Sequence, residues 1–428
     1  MIYFDHAATT RVLPEAAQAA MKTMTEDYGN PSSLYQLGVQ AAKRMGEHRE
    51  QVARALGCQG EEVYFTSGGT EGDNWAVALA VHLGRHKGRH IITTAIEHAA
   101  VLQPCKELER QGYEVTYLHP DASGRVRVED LEAALRPDTV LVSMMLVNNE
   151  TGALQPVAQA AQLLRRKQSA ALLHTDAVQG FLKIPFTPKG LGVDLLTISG
   201  HKIGAMKGSG ALYLRKGLRA VPLIRGGGQE RGLRSGTEAT PQIAALAAAA
   251  SLGRERMEEH TAALTDLKAY ALETFQRGVP GLAVVSPGDA PHICAISLPG
   301  YPSQVVVRWL SDRGFCVSSG SACHRGKASH VYAAMHLSKG VRDGVLRISF
   351  GPENTRQEVR DCLNQMQRRR LMHLVDSQNL LKEEISLASF TAGFKLAWGL
   401  SKELEADGLY SFDEEETDRA CRQIGKED

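Results

Sequence analysis

Short runs rich in β-forming residues alternate with helical patterns along the first 250 residues, and this alternation constrains the fold most. The runs TVLVSMMLV and AALLHT are almost continuously apolar, which is typical of strands buried on both faces of a sheet. The pattern predicts an α/β fold with a mostly parallel sheet and helices on both faces. We predict strands at 62–66, 90–94, 114–118, 140–147, 171–175, 194–199 and 211–214, and helices at 72–83, 99–111, 128–135 and 157–168.

The composition changes after this region. Residues 215–240 are rich in Gly and Arg without apolar periodicity, which predicts a long functional loop. Residues 254–370 then follow a helix–strand pattern typical of a smaller α+β domain. We therefore predict a large domain at 13–253, a small domain formed by 1–12 with 254–370, and an acidic C-terminal extension at 371–428.

The composition of the 428-residue chain is that of an ordinary globular protein, with 43% hydrophobic and 23% charged residues. A net charge of +1 gives no reason to expect nucleic acid or an anionic membrane as a partner. We also expect neither a signal peptide nor a membrane span, because no apolar stretch approaches the roughly 18 residues that a span needs. Seven cysteines without a CxxC pair argue against a disulfide framework, so we expect reduced thiols and a cytoplasmic location.

Loops that follow the predicted strands carry unusual residues. The carboxyl ends of parallel strands meet at one edge of a sheet, where ligands bind, so chemistry is expected in these loops. Their sequences are SGGTE at 67–71, EH at 97–98, NNETG at 148–152, HTDAVQ at 174–179 and SGHK at 199–202.

The first three of these loops each have two interpretations. The SGGTE glycines permit close backbone approach, and the following helix N-terminus can bind an anion such as phosphate, with Thr70 as a ligand. Alternatively, this loop is a glycine turn that caps a helix. Asn148 and Asn149 either form an Asx-turn or present amides to a ligand. His98, taken alone, is either structural or functional.

The other two loops carry groups that are costly to bury. Asp176, at the end of an apolar strand, needs a partner such as a cationic ring nitrogen. Lys202 follows a strand, where a desolvated amine can form a Schiff base, although it could equally be a surface lysine in a turn. An anion cradle, an acid and a lysine together meet the requirements of pyridoxal 5'-phosphate.

The sequence closely resembles the cysteine desulfurases of the class V aminotransferase family. The resemblance spans about residues 1–366 and implies the fold type I architecture of pyridoxal phosphate enzymes, with a large cofactor-binding domain and a smaller α+β domain. The motifs that carry it are YFDHAATT at 3–10, YGNPSS at 28–33, TSGGTEGDN at 66–74, EH at 97–98, NNETG at 148–152, HTDAVQ at 174–179, SGHK at 199–202, GGGQERGLRSGTE at 226–238, SSGSAC at 318–323 and RISFG at 347–351.

The resemblance implies a role for each candidate site residue. Lys202 would be the Schiff-base lysine, and Asp176 would pair with the pyridinium nitrogen. Gln179 would donate to the phenolic oxygen of the ring, while His98 would stack on the ring and assist proton transfer. Further cofactor contacts would come from Gly69, Thr70, Asn149, Ser199 and His201, and from Thr237 donated across the interface of a homodimer.

Arg347 and Cys323 complete the implied site. Arg347, with Asn149, would bind the carboxylate of L-cysteine. Cys323 has basic neighbours that favour thiolate, and it would take the substrate's sulfur as a persulfide. The persulfide would pass to an acceptor protein such as an iron–sulfur cluster scaffold or a tRNA-thiolation enzyme. We expect no metal, because Cys323, His324 and His330 have no second cysteine or acid at ligand spacing. The alternatives are a selenocysteine lyase or C–S lyase of the same fold, and a non-catalytic assembly subunit.

Three glycines and the tail depart from the family pattern. Gly69, Gly72 and Gly200 stand where Ala or Ser is common, and we expect them to loosen their loops. The extension carries 6 basic and 13 acidic residues. Its apolar side chains recur at helical spacing, which predicts a helical hairpin at about 376–405 and 412–424.

Overall fold

The computed structural model describes residues 1–320 and 329–367, together with the isolated position 389. Cys323 and the predicted helical hairpin of the extension therefore lie outside the described residues. Residues Met1–Gln367 form one compact unit. Within the described part, no helix has both the length and the apolar character that crossing a bilayer requires.

The unit contains short strands and helices in alternation. In chain order the strands are β1 (Ile2–Tyr3), β2 (Val63–Thr66), β3 (His90–Thr94), β4 (Glu114–Leu118), β5 (Thr139–Ser143), β6 (Leu172–Asp176), β7 (Leu195–Ser199), β8 (Gly210–Leu214), β9 (Ala283–Ser286), β10 (Ile293–Ser297), β11 (Phe315–Cys316) and β12 (Val345–Ser349). The helices are α1 (Pro14–Thr25), α2 (Gln36–Leu56), α3 (Gly69–Gly84), α4 (Ala99–Arg110), α5 (Val128–Ala134), α6 (Val157–Arg166), α7 (Pro188–Leu191), α8 (Thr240–Glu255), α9 (Met257–Gly278), α10 (Ser303–Ser311), α11 (His330–Ala334), α12 (Lys339–Asp343) and α13 (Arg356–Met366).

A seven-stranded sheet has the order β2-β8-β7-β6-β5-β3-β4. β8 is antiparallel to both of its neighbours, and the other pairs are parallel. This confirms the predicted mostly parallel sheet, because all seven predicted strands are present. The prediction of 140–147 is too long, since β5 ends at Ser143. Strands β3, β5, β7 and β8 are buried at every position, as expected for a sheet covered on both faces.

Two smaller sheets involve the ends of the unit. β9, β10 and β12 form an antiparallel sheet, and β1 pairs in parallel with β11, placing Ile2 opposite Phe315. An isolated bridge also joins Asp5 to Ser349 at the end of β12. The first residues of the chain therefore lie beside its C-terminal strands. The division into a large and a small domain stays a prediction.

The Gly/Arg-rich loop is irregular up to α8, apart from one short 3-10 turn at Glu230–Gly232. Glu230 and Arg231 have φ angles of 50° and 60°, in the left-handed region that non-glycine residues seldom adopt. The Glu230 carboxylate accepts hydrogen bonds from Arg49 at 2.7 and 2.8 Å and from the Phe65 backbone N–H at 2.9 Å. This buried ion pair holds the strained turn against β2.

Candidate active site

A cavity of about 270 Å³ lies at the carboxyl edge of the seven-stranded sheet. Ten of the twelve predicted site residues line it: Gly69, Thr70, His98, Asn149, Asp176, Gln179, Ser199, His201, Lys202 and Arg347. Thr237 is exposed and outside this cavity, and Cys323 is outside the described residues. A wider groove of about 1420 Å³ at the amino ends of β6 and β7 has none of the predicted site residues in its lining.

The N-terminus of α3 forms one wall of the cavity. The helix starts at Gly69 and has no side-chain cap, so the first N–H groups point out of the helix without an intrahelical acceptor. The preceding residue, Gly68, has a φ angle of 152°, and a Cβ on Gly210 would meet its Cα at 2.8 Å. The tight backbone and open N–H groups suit a phosphate, which is the first of the two interpretations of this loop.

Glycine in this region permits close packing, so the expectation of loosened loops is wrong. Gly69 and Gly72 belong to α3, and a Cβ on Gly72 would lie 2.6 Å from Thr197 Cγ2. A Cβ on Gly200 would lie 2.2 Å from Ser209 Oγ. The missing side chains let α3 and the turn after β7 approach their neighbours.

Asp176 ends β6 in the middle of the sheet. Its Oδ1 accepts a hydrogen bond from the Val178 backbone N–H at 2.8 Å, and the residue is 7% exposed. Burial and the nearby Asp73 carboxyl raise the pKa of Asp176 to about 7. A cationic group in the cavity would favour the ionised carboxylate, and this acid therefore fits the pyridinium nitrogen of pyridoxal phosphate.

Lys202 reaches the cavity from the turn after β7. Its Nζ donates hydrogen bonds to the carbonyl oxygens of Ala7 and Ala8 at 2.6 and 2.8 Å. Gln179 Nε2 also donates to the Ala7 oxygen, at 2.9 Å. The N-terminal loop therefore holds both side chains in place, although no local sequence pattern indicates this contact.

Two histidines lie on the cavity wall, and each is suited to donate a hydrogen bond or a proton. His98 caps α4, because its Nδ1 accepts a hydrogen bond from the Ala100 backbone N–H at 3.2 Å. A neutral His98 ring therefore carries its proton on Nε2. Burial, together with Lys202, lowers the pKa of His201 to about 4, so His201 is neutral at pH 7 and can act as a hydrogen-bond donor.

The structure separates the two asparagines that the sequence could not rank. Asn148 is fully buried, and its Oδ1 accepts hydrogen bonds from the backbone N–H groups of Glu150 and Thr151, each at 2.9 Å. Asn148 therefore builds the turn, as in the Asx-turn interpretation. Asn149 lines the cavity and is the one available to a ligand.

Arg347 is 1% exposed on β12 and is held by two acceptors. Its Nη2 donates to Asp5 Oδ1 at 2.7 Å and its Nη1 to the Asn149 carbonyl at 2.9 Å. Its buried Nε has no partner among the described residues. Such a fixed guanidinium suits a carboxylate ligand.

Sequence reasoning missed two acids of this site. Asp5 lies within YFDHAATT, and the motif itself is the signal that could have found it. Asp73 lies within TSGGTEGDN, but an acid inside a helical pattern looks like an ordinary surface residue. The structure instead places Asp73 in the cavity lining, 1% exposed.

The chain is similar to several known proteins. The family model described as aminotransferase class-V matches residues 2–361. The chain is 39% identical over 367 residues to the cysteine desulfurase IscS of Methanosarcina thermophila, which covers 84% of this chain and 89% of the relative. It is 43% identical over 365 residues to the cysteine desulfurase of Trichormus azollae, covering 84% of this chain and 90% of the relative.

Solved structures with the same fold include a NifS-like protein, with a TM-score of 0.81 and 36% identity, covering 86% of this chain and 98% of the other. Another is SspA in complex with cysteine, with a TM-score of 0.72 and 33% identity, covering 83% of this chain and 100% of the other. These matches confirm the predicted fold type I architecture. The chain belongs to the class V aminotransferase family.

Proposed function

We propose that the protein is a pyridoxal phosphate-dependent cysteine desulfurase that converts L-cysteine to L-alanine and leaves a persulfide on Cys323. One observation carries this proposal: Lys202, Asp176 and the open N-terminus of α3 line a single cavity with Arg347. The names of the relatives support the choice of cysteine as substrate.

Each end of the cofactor has suitable protein groups. The N–H groups at Gly69 and Thr70 would bind the phosphate, with Ser199 and neutral His201 as further donors. Asp176 would hold a proton on the ring nitrogen, and Lys202 would bind the cofactor covalently. Pyridoxal phosphate, when bound, supplies a ring that withdraws electrons from the substrate carbon.

The substrate would be bound by its carboxylate and deprotonated by the lysine. Arg347 would bind the carboxylate from a position fixed by Asp5. Lys202 Nζ would then take the Cα proton once the substrate has displaced it from the cofactor. His98 would deliver a proton from Nε2, because its Nδ1 is already engaged by the helix.

Cys323 is proposed as the group that accepts sulfur. Gly320 and Ser329 are the described residues on either side of the segment that carries it. Nearby, Ser318 exchanges backbone hydrogen bonds with Arg347 at 2.7 and 3.3 Å, and His330 Nε2 bonds to the Glu97 oxygen at 2.9 Å. One end therefore pairs with Arg347 of the cavity lining, and the other contacts Glu97, which precedes His98 of the lining. Gly320 is three residues from Cys323, and three residues span at most about 11 Å.

The sulfur transfer balances without an added oxidant. The Cys323 thiolate attacks the substrate sulfur, so an S–S bond forms while the Cβ–S bond breaks. The bonding electrons go to Cβ, which gains a proton, and Cα regains the proton that Lys202 took, so the carbon skeleton leaves as alanine. The persulfide then passes to an acceptor protein, such as an iron–sulfur scaffold or a tRNA-thiolation enzyme.

A homodimer in the cytoplasm is part of the proposal. Six large apolar side chains within residues 21–39 are at least 49% exposed, namely Met21, Met24, Tyr28, Leu34, Tyr35 and Val39. Several exposed large apolar side chains within one short stretch of the chain are a feature of interfaces. Thr237 is also exposed, so it could contact the phosphate in the partner's cavity.

Borohydride trapping tests the proposal. Reduction of the loaded protein should attach the cofactor to Lys202, and Lys202→Ala should lose both the adduct and alanine formation. Lys207→Ala is the matched control, because Lys207 is exposed and five residues further along the chain. An adduct on Lys207, or alanine formation by Lys202→Ala at the normal rate, would contradict the assignment.

A further inference from the structure

Asp73 lines the cavity beside Asp176, and the proposed function gives it no role. It follows Gly72, whose close contact with Thr197 brings this part of α3 onto β7. The Asp73 side chain is 1% exposed. Its Oδ1 has no hydrogen-bond partner among the described residues and lies 3.5 Å from His174 Nε2. A buried carboxyl oxygen without a partner needs an explanation.

His174 does not supply a positive charge. The ring is fully buried, with Nδ1 at 2.9 Å from Ser143 Oγ and Nε2 at 3.1 Å from Thr197 Oγ1. Burial lowers the pKa of His174 to about 4, so the imidazole is neutral at pH 7. The contact between His174 and Asp73 is therefore not a salt bridge at neutral pH.

The two carboxyls influence each other more than any cation does. Burial raises the pKa of Asp73 to about 7, although side-chain hydrogen bonds with Thr197 and Asp176 lower it. Burial, together with the Asp73 carboxyl, raises the pKa of Asp176 to about 7. Two neighbouring buried carboxyls do not both ionise, because like charges repel strongly there. His98 lowers the pKa of Asp176, while burial raises the pKa of Glu97 well above its usual range. The other titratable side chains of the lining are His201, Lys202 and Arg347.

We propose that Asp73 is a positioning residue that keeps its proton at neutral pH and donates it in a hydrogen bond to the carboxylate of Asp176. This inference rests on the proposed function, which pairs Asp176 with the ring nitrogen. The hydrogen bond orients Asp176 and makes its carboxylate a weaker base. The proton between Asp176 and the cofactor would therefore stay on the ring nitrogen. The negative charge of Asp176 would then face the positive charge of the ring nitrogen, while Asp73 stays neutral.

Two substitutions separate a proton donor from an ionised acid. Asp73→Asn keeps an N–H donor in nearly the same shape, and Asp73→Leu keeps the volume without a donor. Asp130→Asn is the control, because Asp130 is an acid remote from the cavity lining, with its side chain 40% exposed and paired with Arg127. The full-length protein is loaded with pyridoxal phosphate, and its visible absorbance is recorded across a pH series for each variant. The quantity compared is the midpoint, the pH at which the change in absorbance is half complete.

We expect Asp73→Asn to leave the midpoint unchanged and Asp73→Leu to raise it by about one pH unit or more, since Asp176 becomes the stronger base. An equal downward shift in both variants would show that Asp73 is ionised, and would overturn the proposal. Unchanged midpoints in both variants, with only a lower unfolding temperature, would show a packing role and also overturn it.

Infrared spectroscopy of the loaded wild-type protein gives an independent reading, and it does not require the leucine variant to fold. At neutral pH we expect the C=O band of a protonated carboxyl that is missing in Asp73→Asn. If no band is lost, the inference fails while the proposed function stands. If the wild-type protein shows no cofactor absorbance or adduct on Lys202, the proposed function itself fails.

Discussion

The contact between Gly72 and Thr197 predicts how this chain tolerates a single added methyl group. A Cβ on Gly72 would lie 2.6 Å from Thr197 Cγ2 and 3.1 Å from its Oγ1. The contact with the methyl group is too short to be tolerated. The contact with the hydroxyl is tolerable, because the hydroxyl needs to move by only a few tenths of an ångström. Thr197→Ser removes that methyl and keeps the hydroxyl that contacts His174.

Two opposing effects set the size of the change. Alanine is favoured over glycine inside a helix by about 1 kcal/mol, whereas overpacking a core costs about 1–3 kcal/mol. We therefore expect Gly72→Ala alone to lower the free energy of unfolding by about 0–2 kcal/mol. Thr197→Ser alone should cost about 0.8 kcal/mol for the lost buried methyl. Combined with Gly72→Ala, the serine should restore stability to about the wild-type value.

A double-mutant cycle by urea unfolding of the full-length protein measures this coupling. We expect a favourable coupling free energy of about 1–3 kcal/mol, with Thr197→Ser destabilising the wild type and stabilising Gly72→Ala. A Cβ at Gly72 would push α3 away from β7, and this would move Gly69 at the start of the same helix. Gly72→Ala should therefore also bind pyridoxal phosphate more weakly. A coupling below about 0.5 kcal/mol, or stabilisation by Gly72→Ala whatever stands at 197, would refute the close approach.

Three other perturbations follow from the described contacts. Replacing Leu34 and Tyr35 with glutamate should convert the dimer to a monomer in light scattering, because both side chains are more than half exposed; a wild-type monomer would contradict the interface. Arg347→Lys should raise the KM for cysteine about tenfold or more with little change in cofactor absorbance, since lysine cannot reproduce the fork of a guanidinium; an unchanged KM would remove Arg347 from carboxylate binding. A chain that ends at Arg370 should keep its cofactor absorbance and its alanine formation, because every proposed catalytic residue precedes 352; cofactor binding without alanine formation would place the extension in the active site.

The sheet was predictable because its signal is local. Strands such as β3 and β7 are buried on both faces, so their apolar runs are visible in the sequence without any tertiary information. Strand ends were harder, because Met144 and Leu146 continue as apolar residues beyond β5 while still bonding to the backbone of β6.

The site residues after each strand were predictable for a related reason. Parallel strands bring their carboxyl ends together, so Asp176 and Lys202 had to lie near each other once the strands were placed. Asp73 and Asp5 were not predictable in this way. Their roles depend on which helix face meets β7 and on the pairing of β1 with β11, and neither is fixed by local spacing.

The effect of glycine was misjudged because composition shows flexibility and not contact. Gly72 and Gly200 look like loosening substitutions in the sequence, yet each leaves space that a neighbouring side chain occupies. The strained turn at Glu230 was also invisible, because its partner Arg49 is 181 residues away in sequence. Contacts between residues that are far apart in the sequence could not be predicted from local patterns.

Mass spectrometry of the protein after incubation with L-cysteine tests most directly whether sulfur from cysteine is transferred to Cys323. We expect a peptide that contains Cys323 to gain the mass of one sulfur atom while alanine appears in solution. Cys323→Ser should bind the cofactor normally but lose this mass gain, because a hydroxyl is a poor substitute for thiolate. A persulfide on Cys316, or alanine and sulfur release at the wild-type rate by Cys323→Ser, would contradict the account.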